Sequence, residues 1–104
     1  MDFSFLISIS DGDNQFIADF ISTFEDTTMV QINQMKDAFQ DGNLDEVKKL
    51  AHQIKPTGEM LAFESQPDIM QLNSAPDTVS GDKLDKIVAE SNEVLKALKA
   101  EFPS

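Results

Sequence analysis

From about Asp11 onward, hydrophobic positions recur at helical spacing along nearly the whole chain. Phe16, Ile17, Phe20, Ile21 and Phe24 fall at i, i+1, i+4, i+5 and i+8, one face of a helix that Asp11 or Asp13 can cap. A second helix is expected from Asp26 or Thr27, burying Met29, Ile32, Met35 and Phe39 and ending at Gly42 as C-cap. Asn43, with Glu46 three residues later, has the form of a capping box and starts a third. Its apolar positions are Leu44, Val47, Leu50, Ala51, Ile54, Gly58 and Leu61. Ser65, Gln66, Pro67 and Asp68 open a short fourth helix that runs to the region of Leu72, with proline tolerated in its first turn. Residues 73–81 hold Pro76 and two serines and read as a loop. Ser80 can then cap a last helix, which buries Leu84, Ile87, Val88, Val94, Leu95 and Leu98 and stops before Pro103.

Ahead of these helices, Phe3, Phe5, Ile7 and Ile9 alternate with period two. A lone strand would have nothing to pair with. An extended lead, or a short helical turn, laying its phenylalanines on the helices is expected instead. The pattern as a whole predicts an all-α fold: an antiparallel four-helix bundle with a short additional helix and an extended N-terminal lead. No repeat or linker divides the chain, so residues 1–104 form one domain.

Composition narrows the partners. The chain has 104 residues, enough for one modest core. Its net charge of -11 argues against nucleic acid and anionic membrane surfaces. The absence of cysteine removes disulfides and thiolate chemistry, which suits a cytoplasmic protein. No apolar run approaches a membrane span, and the N-terminus begins acidic and is too short for a signal peptide. Nothing calls for an oligomer, and a monomer is expected.

Against this acidic background residues 47–58, V-K-K-L-A-H-Q-I-K-P-T-G, carry three lysines and no carboxylate. They surround His52, the single histidine. At about 100° per residue, His52 falls roughly 140° from the centre of the third helix's apolar stripe, on the solvent side. Lys48, Lys55 and Glu59 lie on the neighbouring flank, and Lys55 is one turn away at i+3. An isolated histidine is most often a core residue or an idle surface one; here the core explanation fails on geometry. Imidazole can accept and release a charged group near neutral pH, and nearby cations suit a phosphoryl group. Gly58 costs about 1 kcal/mol inside a helix relative to Ala and is equally open to close packing or a functional role. Pro56 cannot donate to the carbonyl of His52 and crowds it, a cost of about 3 kcal/mol, so the helix is expected to kink or break at the histidine.

The segment A-H-Q-I-K-P-T-G-E-M-L-A-F resembles the signature of histidine-containing phosphotransfer (HPt) domains. Ala51, His52, Lys55, Gly58 and Leu61 match that family's pattern. Pro56 and Ala62 stand where the family usually has Gly, and neither change touches the histidine or the lysine. The family is a four-helix bundle with an exposed histidine on a central helix. The resemblance implies a phosphorelay carrier, not an enzyme in its own right. His52 would take a phosphoryl group from an aspartate of one receiver domain and pass it to another. Lys55 would neutralise the phosphoryl oxygens, while Lys48, Pro56 and Gly58 would support docking. The implied partners are receiver domains of a hybrid sensor histidine kinase or of a response regulator. No cofactor is needed on this chain, because Mg2+ would come with the receiver.

The phosphorylated helix of sensor kinases is the nearest competitor. Its box places an acidic residue after the histidine and proline five positions on, whereas this chain has Gln53 and a proline at the fourth. No glycine-rich phosphate loop is present for ATP. A helical adaptor that binds its partner non-covalently, or a relay domain that has lost its role, is the alternative. D-G-D-N at residues 11–14 lacks most ligands of a calcium loop and is better read as capping. Met29, Met35, Met60 and Met70 are expected to fill the core.

Overall fold

In a computed structural model, which describes residues 1–103, every regular element is helical. The order is α1 (Ser4–Ser10), α2 (Asn14–Thr23), a π-helical turn (Phe24–Thr28), α3 (Met29–Gln40), α4 (Leu44–Met60), α5 (Gln66–Ser74), a 3-10 turn (Pro76–Thr78) and α6 (Gly81–Glu101).

The expected extended lead is α1. Its buried stripe is Leu6 and Ser10, with Phe3 half-buried against the ring of Phe102 at 6.2 Å between centroids. Spacings of three and four, not two, govern what this segment buries. Asp2 accepts from the Ser4 N–H at 2.9 Å, and the hydrogen bonds from Ser4 hold its carboxyl below the usual range. Phe5, Ile7 and Ile9, which gave the alternation, remain exposed.

The expected break at Asp26 or Thr27 does not occur. Thr23, Phe24, Thr28 and Met29 all keep right-handed helical dihedrals, so residues 14–40 form one continuous helix. Its buried positions are Ile17, Ile21, Phe24, Thr28, Ile32, Met35 and Ala38. Two successive steps of four residues, Phe24 to Thr28 to Ile32, would drift off the face of a regular α-helix. A wider π turn at that place keeps the stripe facing inward. Asp13 caps the start of this helix, accepting from the N–H groups of Gln15 and Phe16.

Helix α4 packs most extensively on α5 and α3, and α3 also packs on α6. The core between them contains Met35, Val47, Ile54, Ile69, Ile87 and Leu98, all almost fully buried. Asn43 caps α4 by accepting from the Glu46 N–H at 3.3 Å. At the other end Phe63 N–H donates to Gly58 C=O and Ala62 N–H to Glu59 C=O, with Ala62 at φ 54°. Helix α3 ends in the same way, with Gly42 in the left-handed position at φ 75°.

Helix α5 runs on to Ser74, past the expected limit, and a 3-10 turn occupies part of the expected loop. Its start is capped from α6: the Glu90 carboxylate accepts from Glu64 N–H at 2.6 Å, Ser65 N–H at 2.9 Å and the Ser65 hydroxyl at 2.5 Å. Ser80 occupies the N-cap position of α6 without a side-chain capping bond. No helix among the described residues is long and apolar enough to cross a membrane.

Candidate functional site

Helix α4 separates two sets of residues. Val47, Leu50, Ala51, Ile54 and Gly58 are buried, while Lys48, Lys49, His52, Gln53 and Pro56 are exposed and Lys55 is half-buried. His52 therefore faces solvent, as the helical spacing predicts. Lys48 lies one turn before it and Lys55 one turn after. Among the described residues the ion pairs are Lys36 with Asp85 and Lys99 with Glu25. The three lysines around His52 are not drawn into either, so their charge stays available to an anion on the ring.

The helix continues unbroken through Pro56, so of the kink or break expected at His52 the break does not occur. Burial of Ala51 and Ile54 before the proline, and of Gly58 after it, holds the helix in place on both sides. Pro56 still lacks an N–H, so the carbonyl of His52 loses its ordinary helical donor.

Gly58 has a packing explanation. A Cβ at this position would collide with the side-chain oxygen of Gln66 and lie 3.4 Å from Ile69 Cδ1. The space a side chain would need is occupied by α5. Gln66 Nε2 donates to the Lys55 carbonyl at 2.9 Å, while Gln66 Oε1 is buried without a partner. Leaving an acceptor unpaired in the interior costs about 1–3 kcal/mol. The opposite orientation of the amide would set two oxygens against each other and lose the bond to Lys55.

Two further amides approach the same stretch. Asn73 Nδ2 on α5 donates to the Lys48 carbonyl at 3.2 Å. Gln31 Nε2 on α3 donates to Gln53 Oε1 at 3.1 Å. These bonds set the heights of the flanking helices. Gln31 meets the residue after His52, and Val30 is its neighbour along α3. Met70, between Gln66 and Asn73, comes level with His52 on α5. Both are exposed, Val30 by 47 % and Met70 by 51 %, so Met70 is not the core filler expected of it. His52 thus lies between lysines one turn away on either side, with the exposed Met70 level with it on α5.

Sequence reasoning singled out Lys48, His52, Lys55, Pro56 and Gly58, and α4 carries all five, with Gly58 on its inner face. It missed Met70, Gln66 and Asn73, which lie on α5. A signal for two of them exists: Gln66, Ile69 and Asn73 share one face of α5, so two amides accompany a buried isoleucine. The residues 11–14 turn serves as connection and cap, with Asp11 and Gly12 in the left-handed region and Asp13 capping α2. The sequence matches no protein-family model, and neither a curated protein nor a solved structure matches it, so the chemistry of the site rests on its own residues.

Proposed function

We propose that this chain is a phosphocarrier of the histidine-containing phosphotransfer type, taking a phosphoryl group on His52 from one receiver-domain aspartate and giving it to another. The observation that carries the reading is an exposed imidazole at the middle of a helix, with lysines one turn away on both sides that form no ion pair among the described residues. In the forward step the lone pair of neutral His52 Nε2 attacks phosphorus. An N–P bond forms as the O–P bond to the aspartate breaks, and that electron pair leaves with the carboxylate. The second receiver reverses the exchange. Covalent catalysis of this kind splits one transfer into two. Positioning and charge neutralisation supply most of the rate in phosphoryl transfer, and Lys55 is the neutralising residue on this side. Mg2+ belongs to the receiver. The exposed Met70, level with His52 on α5, gives the receiver an apolar contact beside the histidine.

The fold that goes with this reading is an antiparallel four-helix bundle made of residues 14–40, α4, α5 and α6, with α1 as an added short helix. Short connections between successive helices support it, since they favour antiparallel neighbours.

The test is transfer of labelled phosphate from a phosphorylated receiver of the source organism. Wild type acquires an acid-labile, base-stable label, and His52→Gln acquires none while keeping its helical circular dichroism. Label on His52→Gln, or none on wild type from any such receiver, ends the proposal. A non-covalent adaptor, which the exposed Phe5 and Ile9 of α1 favour, would keep its partner affinity in His52→Gln.

A further inference from the structure

Pro56 should weaken the turn that carries the chemistry, yet α4 is continuous through it. What stands beside that turn is α5. Gln66 holds the Lys55 carbonyl and Asn73 holds the Lys48 carbonyl. The donors are seven residues apart and so are the acceptors, in reversed order, so α4 and α5 run in opposite directions in register. His52 lies between the two grips. The Gln66 grip is the closer one, at 2.9 Å and partly buried, and it falls on the backbone of Lys55, immediately before the proline. Gly58 leaves the room that the Gln66 amide fills. An apolar side chain there would avoid burying an unpaired oxygen, so packing alone does not account for an amide.

We infer that Gln66 is a positioning residue for the His52–Lys55 pair: its hydrogen bond to the Lys55 carbonyl fixes the turn that Pro56 deprives of a helical N–H. Asn73 is the weaker second grip at Lys48. The rate consequence rests on the phosphocarrier reading; the mechanical one does not. With the bond in place, Lys55 projects from a fixed backbone toward the oxygens of a group on His52. Without it, the turn samples other arrangements and the lysine is less often in place, which lowers the transfer rate more than receiver affinity.

The variant that tests this is Gln66→Met, which keeps the length of the side chain and removes both the donor and the unpaired oxygen. Backbone amide hydrogen exchange reads the mechanical part. Exchange is expected to rise about tenfold at residues 54, 55 and 57–59 while α6 stays within about twofold of wild type. The maximal rate of transfer from a saturating phosphorylated receiver is expected to fall about tenfold, a barrier change of about 1.4 kcal/mol, with half-saturation unchanged. On a Pro56→Ala background the same substitution should change neither quantity, because the helix then has its own N–H. Ala62→Gly, a stabilising change at the far end of α4, should not restore the rate of Gln66→Met. Loss of protection spread evenly over α4 and α6, rescue by Ala62→Gly, or an undiminished effect on the Pro56→Ala background would overturn the inference. If wild type takes up no phosphate at all, the phosphocarrier reading falls, and the exchange measurements still decide whether Gln66 fixes the turn.

Discussion

The two faces of α4 obey different rules. On the inner face, Val47, Leu50, Ala51, Ile54 and Gly58 are each explained by what they touch: the core, or the amide and isoleucine of α5. On the outer face the fold demands little. A solvent-facing helix position favours Ala, Glu, Lys or Gln, yet this face carries a histidine and a proline, both poorer helix formers. Residues that a fold does not need, in a place where they cost stability, point to work done on something outside the chain. Substitutions therefore divide: inner ones should change stability and leave the chemistry of folded molecules alone, and outer ones should do the reverse or even stabilise.

The largest expected change in stability is on the inner face. Ile54→Ala removes a fully buried side chain next to the site and should cost about 3 kcal/mol in urea unfolding. The folded fraction should still take up phosphate, and a chemistry that vanishes while folding persists would erase the division. Pro56→Ala comes next, in the opposite direction. Restoring the missing N–H in an exposed helix position should gain about 3 kcal/mol, offset by about 1 kcal/mol from the greater freedom of the unfolded chain. A rise of about 2 kcal/mol is therefore expected, visible as a higher midpoint in urea; no rise would mean that α5 already makes good the loss. Lys55→Ala should leave the midpoint within about 0.5 kcal/mol, since the lysine has no ion pair to lose among the described residues. Transfer from a phosphorylated receiver should slow about tenfold, or about 1.4 kcal/mol of barrier. An unchanged rate would take Lys55 out of the chemistry.

The inner face of α4 was fully legible in the sequence, because a 3.6-residue period marks what a helix buries regardless of its neighbours. The outward direction of His52 followed from the same period. Two elements differ in part from expectation: of the extended lead or short helical turn expected at the N-terminus the helix is what forms, and the boundary expected at Asp26 or Thr27 is absent. Leu6 occupies a polar slot of the strand-like alternation and is the apolar residue that α1 buries, together with Ser10. Across Asp26 and Thr27, capping residue types suggested a boundary, while the burial of both Phe24 and Thr28 required the chain to continue. Helix α4 stays continuous at Pro56, and no periodicity within α4 reports what α5 donates beside it. Met70 escaped because its significance is its height beside His52, which is set by hydrogen bonds between helices.

The smallest expected effect tests the inner face most sharply, because two terms nearly cancel. Gly58→Ala gains about 1 kcal/mol of helix propensity. The new Cβ must displace the far end of Gln66, which can swing away but then gives up its bond to Lys55, a loss of about 1 kcal/mol. The net change in wild type should lie within about 0.5 kcal/mol of zero. In a Gln66→Ala background nothing needs displacing, and the contact with Ile69 Cδ1 at 3.4 Å is tolerable, so the same substitution should stabilise by about 1 kcal/mol. Urea unfolding of the four variants closes the cycle. Equal effects in both backgrounds would mean that Gly58 is not there for Gln66, and the inner face would then hold one residue that its contacts leave unexplained.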